Sequence, residues 1–298
     1  MVKEAWLGFV LCAVQAAAAS DAGAVHEWGT FTSVAGENGQ AVDWLPLSGP
    51  SDLPCFVERL GQRNFKSAYG VVRMETPVLY FYPLKPMTVS VRVDFPNGRV
   101  TEWYPRASSV QPLSSARGWI EWKNAQVSPA GASLPKEGAA SHYYAARETD
   151  AWPLEIGKDR EKFLFYRGLG NFGVDLKAVV NSEGVLIHSE GADRVPVAIL
   201  FQNHGGKIGY KALRSLREPV SVQFADLSGG IEPLRQRLES ELIEMGLYRR
   251  EARAMLETWR DSWFEEGMRV FTSCRAPPWI RFFRFRSSPH RASWRECS

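Results

Sequence analysis

Thr88-Val89-Ser90-Val91-Arg92-Val93-Asp94-Phe95 alternates polar and apolar side chains without a break. A period of two places Val89, Val91, Val93 and Phe95 on one face of a strand and Thr88, Ser90, Arg92 and Asp94 on the other. One face then meets a core and the other meets water, as in an antiparallel sheet. Pro96-Asn97-Gly98 follows, and Asn-Gly between such runs predicts a tight hairpin whose return strand is residues 99–104.

The same signals recur outward from this stretch. Glu37-Asn38-Gly39 separates strand-like residues 30–34 and 40–45, and Asn181-Ser182-Glu183-Gly184 separates 174–180 and 185–188. Residues 71–74, 78–82, 119–123, 162–166, 195–201, 207–213 and 220–224 also read as strands. Many strands, close turns and no interleaved helical periods predict a mainly β fold. The expectation is an antiparallel β-sandwich-like body over residues 25–226. Within it, residues 128–140 (SPAGASLPKEGAA) are a candidate sub-boundary, either a linker between two β-subdomains or a surface loop of one.

The pattern changes after Asp226. Leu234, Leu238, Leu242 and Met245 recur at helical spacing, with Pro233 suited to a first turn and Gly246 to a stop. Ala252, Met255, Trp259 and Trp263 repeat the pattern, so residues 227–267 predict a C-terminal αα-hairpin packed on the body. The Met255/Trp259/Trp263 stripe reads as core. Glu257, Asp261 and Glu265, interleaved with Arg253 and Arg260, read as a solvated face.

The two ends differ from the body. Residues 1–19 carry Lys3, an apolar run (AWLGFVLCAVQAAAA, 5–19) and small residues at its end, the layout of a signal peptide cut near Ala19. Leu11 stands before Cys12 where a lipoprotein signal wants a small residue. The run is short and broken by Gly8 and Gln15, and no later segment is long and apolar enough to span a bilayer. The expectation is a secreted or periplasmic protein without a transmembrane segment. Residues 272–298 hold six Arg and one Glu and so supply +5, which leaves the rest of the chain at −2 within a total of +3. This basic tail reads as an amphipathic edge strand around residues 280–286, a membrane-surface segment, a disordered segment or a sequence out of frame beyond Phe271. The body presents no basic patch, so no nucleic-acid partner is expected. Cys55, Cys274 and Cys297 remain after the leader, and nothing in their spacing selects a disulfide for Cys55.

Motifs for chemistry are sparse. Gly168-Leu169-Gly170-Asn171-Phe172-Gly173 spells GxGxxG, but alternating Val174, Leu176, Ala178 and Val180 follow where a dinucleotide site needs a helix. No nucleotide and no cofactor is expected. His204-Gly205-Gly206 faintly resembles an oxyanion loop, but the chain has no GxSxG elbow. HExxH, Walker and EF-hand sequences are absent, and no metal is assigned. The densest reactive stretch is residues 141–150 (SHYYAARETD). In an extended chain His142, Tyr144, Glu148 and Asp150 share a face, with Arg147 beside them, and these five are the candidate catalytic residues. His26, Glu27, Glu75 and His188 are candidates to join them in space. The plain alternative is a polar rim of salt bridges. Trp103, Trp119 and Trp122 are candidates for an aromatic platform that stacks sugar rings, with core packing as the plain alternative.

The segments HEWGTFTSVAG (26–36), LPLSGPSDLPCFV (45–57), VRMETPVLYFY (72–82), FPNGRVTEWYP (95–105), SHYYAARETDA (141–151), EKFLFYRGLG (161–170) and EARAMLETWRDSWFEEG (251–267) together resemble a family of uncharacterised secreted bacterial proteins. The resemblance covers roughly 26–271 and ends where the basic tail begins. It implies export and supplies neither an activity nor site residues. The expectation is therefore a non-catalytic secreted or envelope binding protein whose partner is a polysaccharide or another envelope component. The alternative is a hydrolase of glycans or envelope polymers that works from the 142–150 face. A third reading is a scaffold that docks a partner on its helical hairpin.

Overall fold

The structure is a computed structural model. It describes residues 6–14, 23–42, 52–60, 72–95, 97–112, 115, 117–129, 133–137, 141–171, 176–191 and 194–274. Among these, the largest sheet has nine strands. Their order is β15 (Lys207–Leu216), β14 (Val195–His204), β17 (Gly267–Cys274), β1 (Trp6–Val14), β2 (Gly23–Ala35), β4 (Val72–Pro83), β11 (Phe163–Gly170), β6 (Gly98–Tyr104) and β3 (Glu58–Arg59). A second sheet runs β10 (Asp159–Glu161), β9 (Leu154–Ile156), β8 (Gly118–Val127) and β5 (Met87–Phe95), with β7 (Ser109–Val110) also on β8. A third is β12 (Leu176–Val180), β13 (Gly184–Ser189) and β16 (Val220–Gln223). The fold is mainly β and its pairs are antiparallel, except for β1 alongside β17.

Strands β2, β11 and β14, interior to the large sheet, are buried on both faces, which explains why they read as apolar runs rather than alternations. In β14, Val197, Ile199 and Phe201 face the helices, while Ala198 and Leu200 face the three-stranded sheet. In β11, Phe163 and Phe165 share the helical core, and Leu164 and Tyr166 join the core against β5 and β8. The helices are α1 (Ile231–Glu244), α2 (Arg249–Thr258) and the short α3 (Arg260–Trp263). Leu234, Leu238 and Leu242 of α1 pack with Met255, Trp259 and Trp263 on Trp28, Tyr80 and Phe163 of the sheet. Leu247 N–H bonds to Leu242 O and Gly246 N–H to Ile243 O, a Schellman end that turns the chain towards α2. The 255/259/263 stripe is buried, so it presents no apolar docking face.

One expected hairpin is present, β12 pairing with β13 across residues 181–183. The turn at 37–39 brings Ala35 opposite Ala41 in an isolated bridge, and residues 43–45 of the expected return strand lie outside the described ones. The hairpin expected at 96–98 is not formed among the described residues. β5 pairs with β8, whereas β6 pairs with β11 and β3 in the other sheet. The apolar faces of β5 and β6 meet across the interior, Val93 and Phe95 lying in one core with Val100 and Trp103. The chain therefore arches between layers rather than returning alongside itself. A Cβ on Gly98 would sit 2.5 Å from Leu169 O, so only glycine lets the arch close there.

Strands before and after residues 128–140 share the same two sheets, and residues 130–132 and 138–140 of that stretch lie outside the described ones. His204-Gly205-Gly206 is the β14–β15 turn, with φ +59° and +78° at the glycines, as a two-residue hairpin loop demands. Gly168 and Gly170 lie within strand β11. Two differences come from the ends. Trp6–Val14, the middle of the leader-like run, is strand β1, and its backbone pairs with β2 from Trp6↔Ala35 to Val14↔Glu27 and with β17. β17 carries ordered strand to Cys274, past Phe271, and residues 275–298 lie outside the described ones. No helix among the described residues is long and apolar enough to cross a membrane.

Candidate functional site

Residues 142–147 form a 3-10 helix, not the extended segment expected from sequence. Ser141 starts it, its hydroxyl accepting the Tyr143 N–H at 3.2 Å. The tight turn scatters the five candidates instead of lining them up. Tyr143 and Ala146 point into the core. Arg147 turns to Glu161, donating from Nη2 at 2.6 Å and from Nε at 2.9 Å, and the Tyr143 hydroxyl donates to the same carboxylate at 3.0 Å. This is a buried structural ion pair, because Glu161 is fully enclosed. Tyr144 O–H accepts the Glu137 N–H at 3.0 Å, and the Arg147 guanidinium lies 4.8 Å from its ring. Glu148 is exposed, and exposed Asp150 pairs with Arg250 at 2.5 Å.

His142 lies between two carboxylates. Its Nδ1 is 3.2 Å from Asp52 and its Nε2 is 2.6 Å from Asp261, and all three side chains reach solvent. Asp261 belongs to the acidic row read as a solvated face. Its companions are paired as well, Glu257 with Arg235 and Arg260, and Glu265 with Arg269. Among the described residues, no group of three or more His, Cys, Asp or Glu could hold a metal ion. Cys55 is a free, exposed thiol.

The three tryptophans do not make a platform. Trp122 is 0% exposed and its indole N–H donates to Pro105 O at 2.8 Å. Trp103 is buried in the same core. Trp119 alone is half-buried on β8, under the Arg92 guanidinium at 4.5 Å. The reason is that the two sheets meet face to face, Trp103 of the large sheet and Trp122 of its partner filling one core between them.

The other candidates go to separate places. His26 is buried with its Nδ1 2.8 Å from Glu251 Oε2. Glu251, at the first turn of α2, also accepts the Tyr82 hydroxyl at 2.8 Å and the Tyr248 N–H at 2.7 Å. Burial first, and then the Glu251 charge, raise the Tyr82 phenol above its ordinary range. Glu27 faces the opposite layer, where Tyr166 donates to it, and burial lifts its carboxyl from about 4.5 to about 8. Glu75 forms an ion pair with Arg73 at 3.5 Å, and His188 is on β13.

Sequence reasoning missed Tyr248. The residue is 45% exposed, yet its ring centroid lies 4.4 Å from that of His26 and 4.8 Å from that of Tyr82. The backbone bond to Glu251 holds it at the start of α2, next to the Arg250–Asp150 pair. The available signal was Glu251 three residues after Tyr248, the spacing at which a glutamate caps a helix start. No family model, curated protein or solved structure matches the chain.

Proposed function

We propose that this chain is a non-catalytic binding protein that acts outside the cytoplasm, in the periplasm or secreted, and takes a polysaccharide or another envelope component at the Tyr248 surface. The leader-like residues 1–19 and the resemblance to secreted bacterial proteins support the location. The observation that carries the binding reading is Tyr248 itself, an exposed ring held in place by His26, Tyr82 and Glu251. A ring that is already ordered offers an apolar face at little entropic cost, which suits the C–H faces of sugars. Arg250, Asp150 and exposed Glu148 supply hydrogen-bonding groups on the same helix start and the loop paired with it. The test is retention of the protein on immobilised polysaccharides and envelope fractions. Retention by the native chain and its loss in Tyr248→Ala support the reading; no retention on any of them rejects it.

A second reading, hydrolysis of glycans or envelope polymers, is favoured by one observation. His142 stands half-exposed between Asp52 and Asp261, a set able to move a proton. The ion pairs of Arg147 and Asp150 weigh against it, since they remove those groups from a shared face. Release of reducing ends that disappears in His142→Ala would select this reading instead.

A further inference from the structure

Arg167 is the one charged residue of β11, whose sequence is FLFYRGLG. The residue is 6% exposed and its guanidinium carbon stands 5.7 Å from the Phe165 ring centroid. Its Nε is buried with no hydrogen-bond partner, and it forms no ion pair among the described residues. The three carboxylates whose charge reaches it are Glu102, Glu75 and Asp52. Each has another partner. Glu102 sits opposite Arg167 in the β6 register but accepts the Thr101 hydroxyl. Glu75 pairs with Arg73, and Asp52 with His142. Arg73 adds a second positive charge to the neighbourhood.

A guanidinium taken out of water without a hydrogen-bonded anion is among the costliest arrangements a strand can hold. Burial first, and then Arg73, push its proton affinity below the ordinary arginine value, which records the same shortage of negative charge. The planar fork of arginine matches an oxyanion through two parallel N–H bonds. We propose that Arg167 anchors a buried oxyanion site, which takes one carboxylate or phosphate group in that fork. The group comes either from a free small anion or from an acidic residue of a polymer. An anion at Arg167 requires nothing of the Tyr248 surface, so the site holds whether or not that surface binds sugar.

The experiment is thermal unfolding of the full chain, freed of buffer anions and titrated with acetate, inorganic phosphate or chloride at matched ionic strength. The expected result is a saturable rise in melting temperature with acetate or phosphate and none with chloride. The rise should reach roughly 5 °C at about a hundredfold the dissociation constant. Arg167→Met should abolish this response. Arg167→Lys, which keeps the charge without the fork, should need at least about tenfold more anion. An equal response to chloride, or a full response in Arg167→Met, overturns the site. If the Met variant does not fold, an undiminished response in Arg167→Lys overturns it. Polygalacturonate and acetate, compared at equal carboxylate concentration, then separate the two sources: a lower midpoint for the polymer assigns the site to a polymeric acid, and equal midpoints assign it to the free anion.

Discussion

His26 Nδ1 and Glu251 Oε2 stand 2.8 Å apart across 225 residues of chain, tying the second strand of the large sheet to the first turn of α2. Glu251 is fully buried and accepts from Tyr82 and Tyr248 as well. Glu251→Ala would strand three polar partners at once. The expected loss is about 3–5 kcal/mol of unfolding free energy in urea. A loss below about 1 kcal/mol would mean that the helical layer does not depend on this contact.

Glu27 makes stability depend on pH in an unusual direction. Its folded-state value of about 8 is above its ordinary 4.5, so between these values the native state holds a proton that the unfolded chain has released. Stability is therefore lost as pH rises through this window, by about 5 kcal/mol in all. Glu27→Gln removes the ionisable group and should flatten the curve, gaining on the native chain at alkaline pH. Urea midpoints of the two proteins at about pH 5 and about pH 9 decide the matter; a difference that stays constant would show that Glu27 does not titrate in this window.

Trp122 and Trp119 lie on the same strand with opposite fates. Trp122→Ala empties a fully buried site and should cost about 3–5 kcal/mol, whereas Trp119→Ala should cost about 1 kcal/mol or less. Neither change should alter retention on polysaccharide if Tyr248 is the stacking ring. Loss of retention in a folded Trp119→Ala protein would move the surface to β8.

Arg147 and Glu161 form a buried pair whose members cannot be removed singly without penalty. Glu161→Leu leaves a guanidinium facing an apolar wall and should cost about 3–5 kcal/mol. Adding Arg147→Met to it should recover part of that loss. A double variant as unstable as the sum of the singles would mean that the two side chains act independently.

The sheet-rich class and the helical pair were legible because their periods are local. Val89 to Phe95 alternates, and Leu234, Leu238 and Leu242 recur, whatever the rest of the chain does. Partner choice was not legible. Asn97-Gly98 carries the signal of a hairpin, and only the contact of Gly98 with Leu169 and the shared core of Phe95 and Val100 reveal an arch between layers. The site was legible in composition and not in geometry. His142, Arg147 and Asp150 are close in sequence, but the 3-10 helix and the bend after it send them to Asp52 and Asp261, to Glu161 and to Arg250 respectively. Arg167 directly follows the apolar residues 163–166 and belongs to no motif, although a lone cation in an apolar run is itself a sign of an unmet charge.

The position of β1 has a consequence for export. Among the described residues it joins β17 on one side to β2 on the other, so cleavage near Ala19 would divide the large sheet into a three-strand part and a five-strand part. Each part would then present a full ladder of unmatched amide and carbonyl groups to the other. A molecule cut there would have to zip these margins together or borrow a strand from a neighbour, and the intact mass and association state of the chain would reveal whether it is cut and which course it takes.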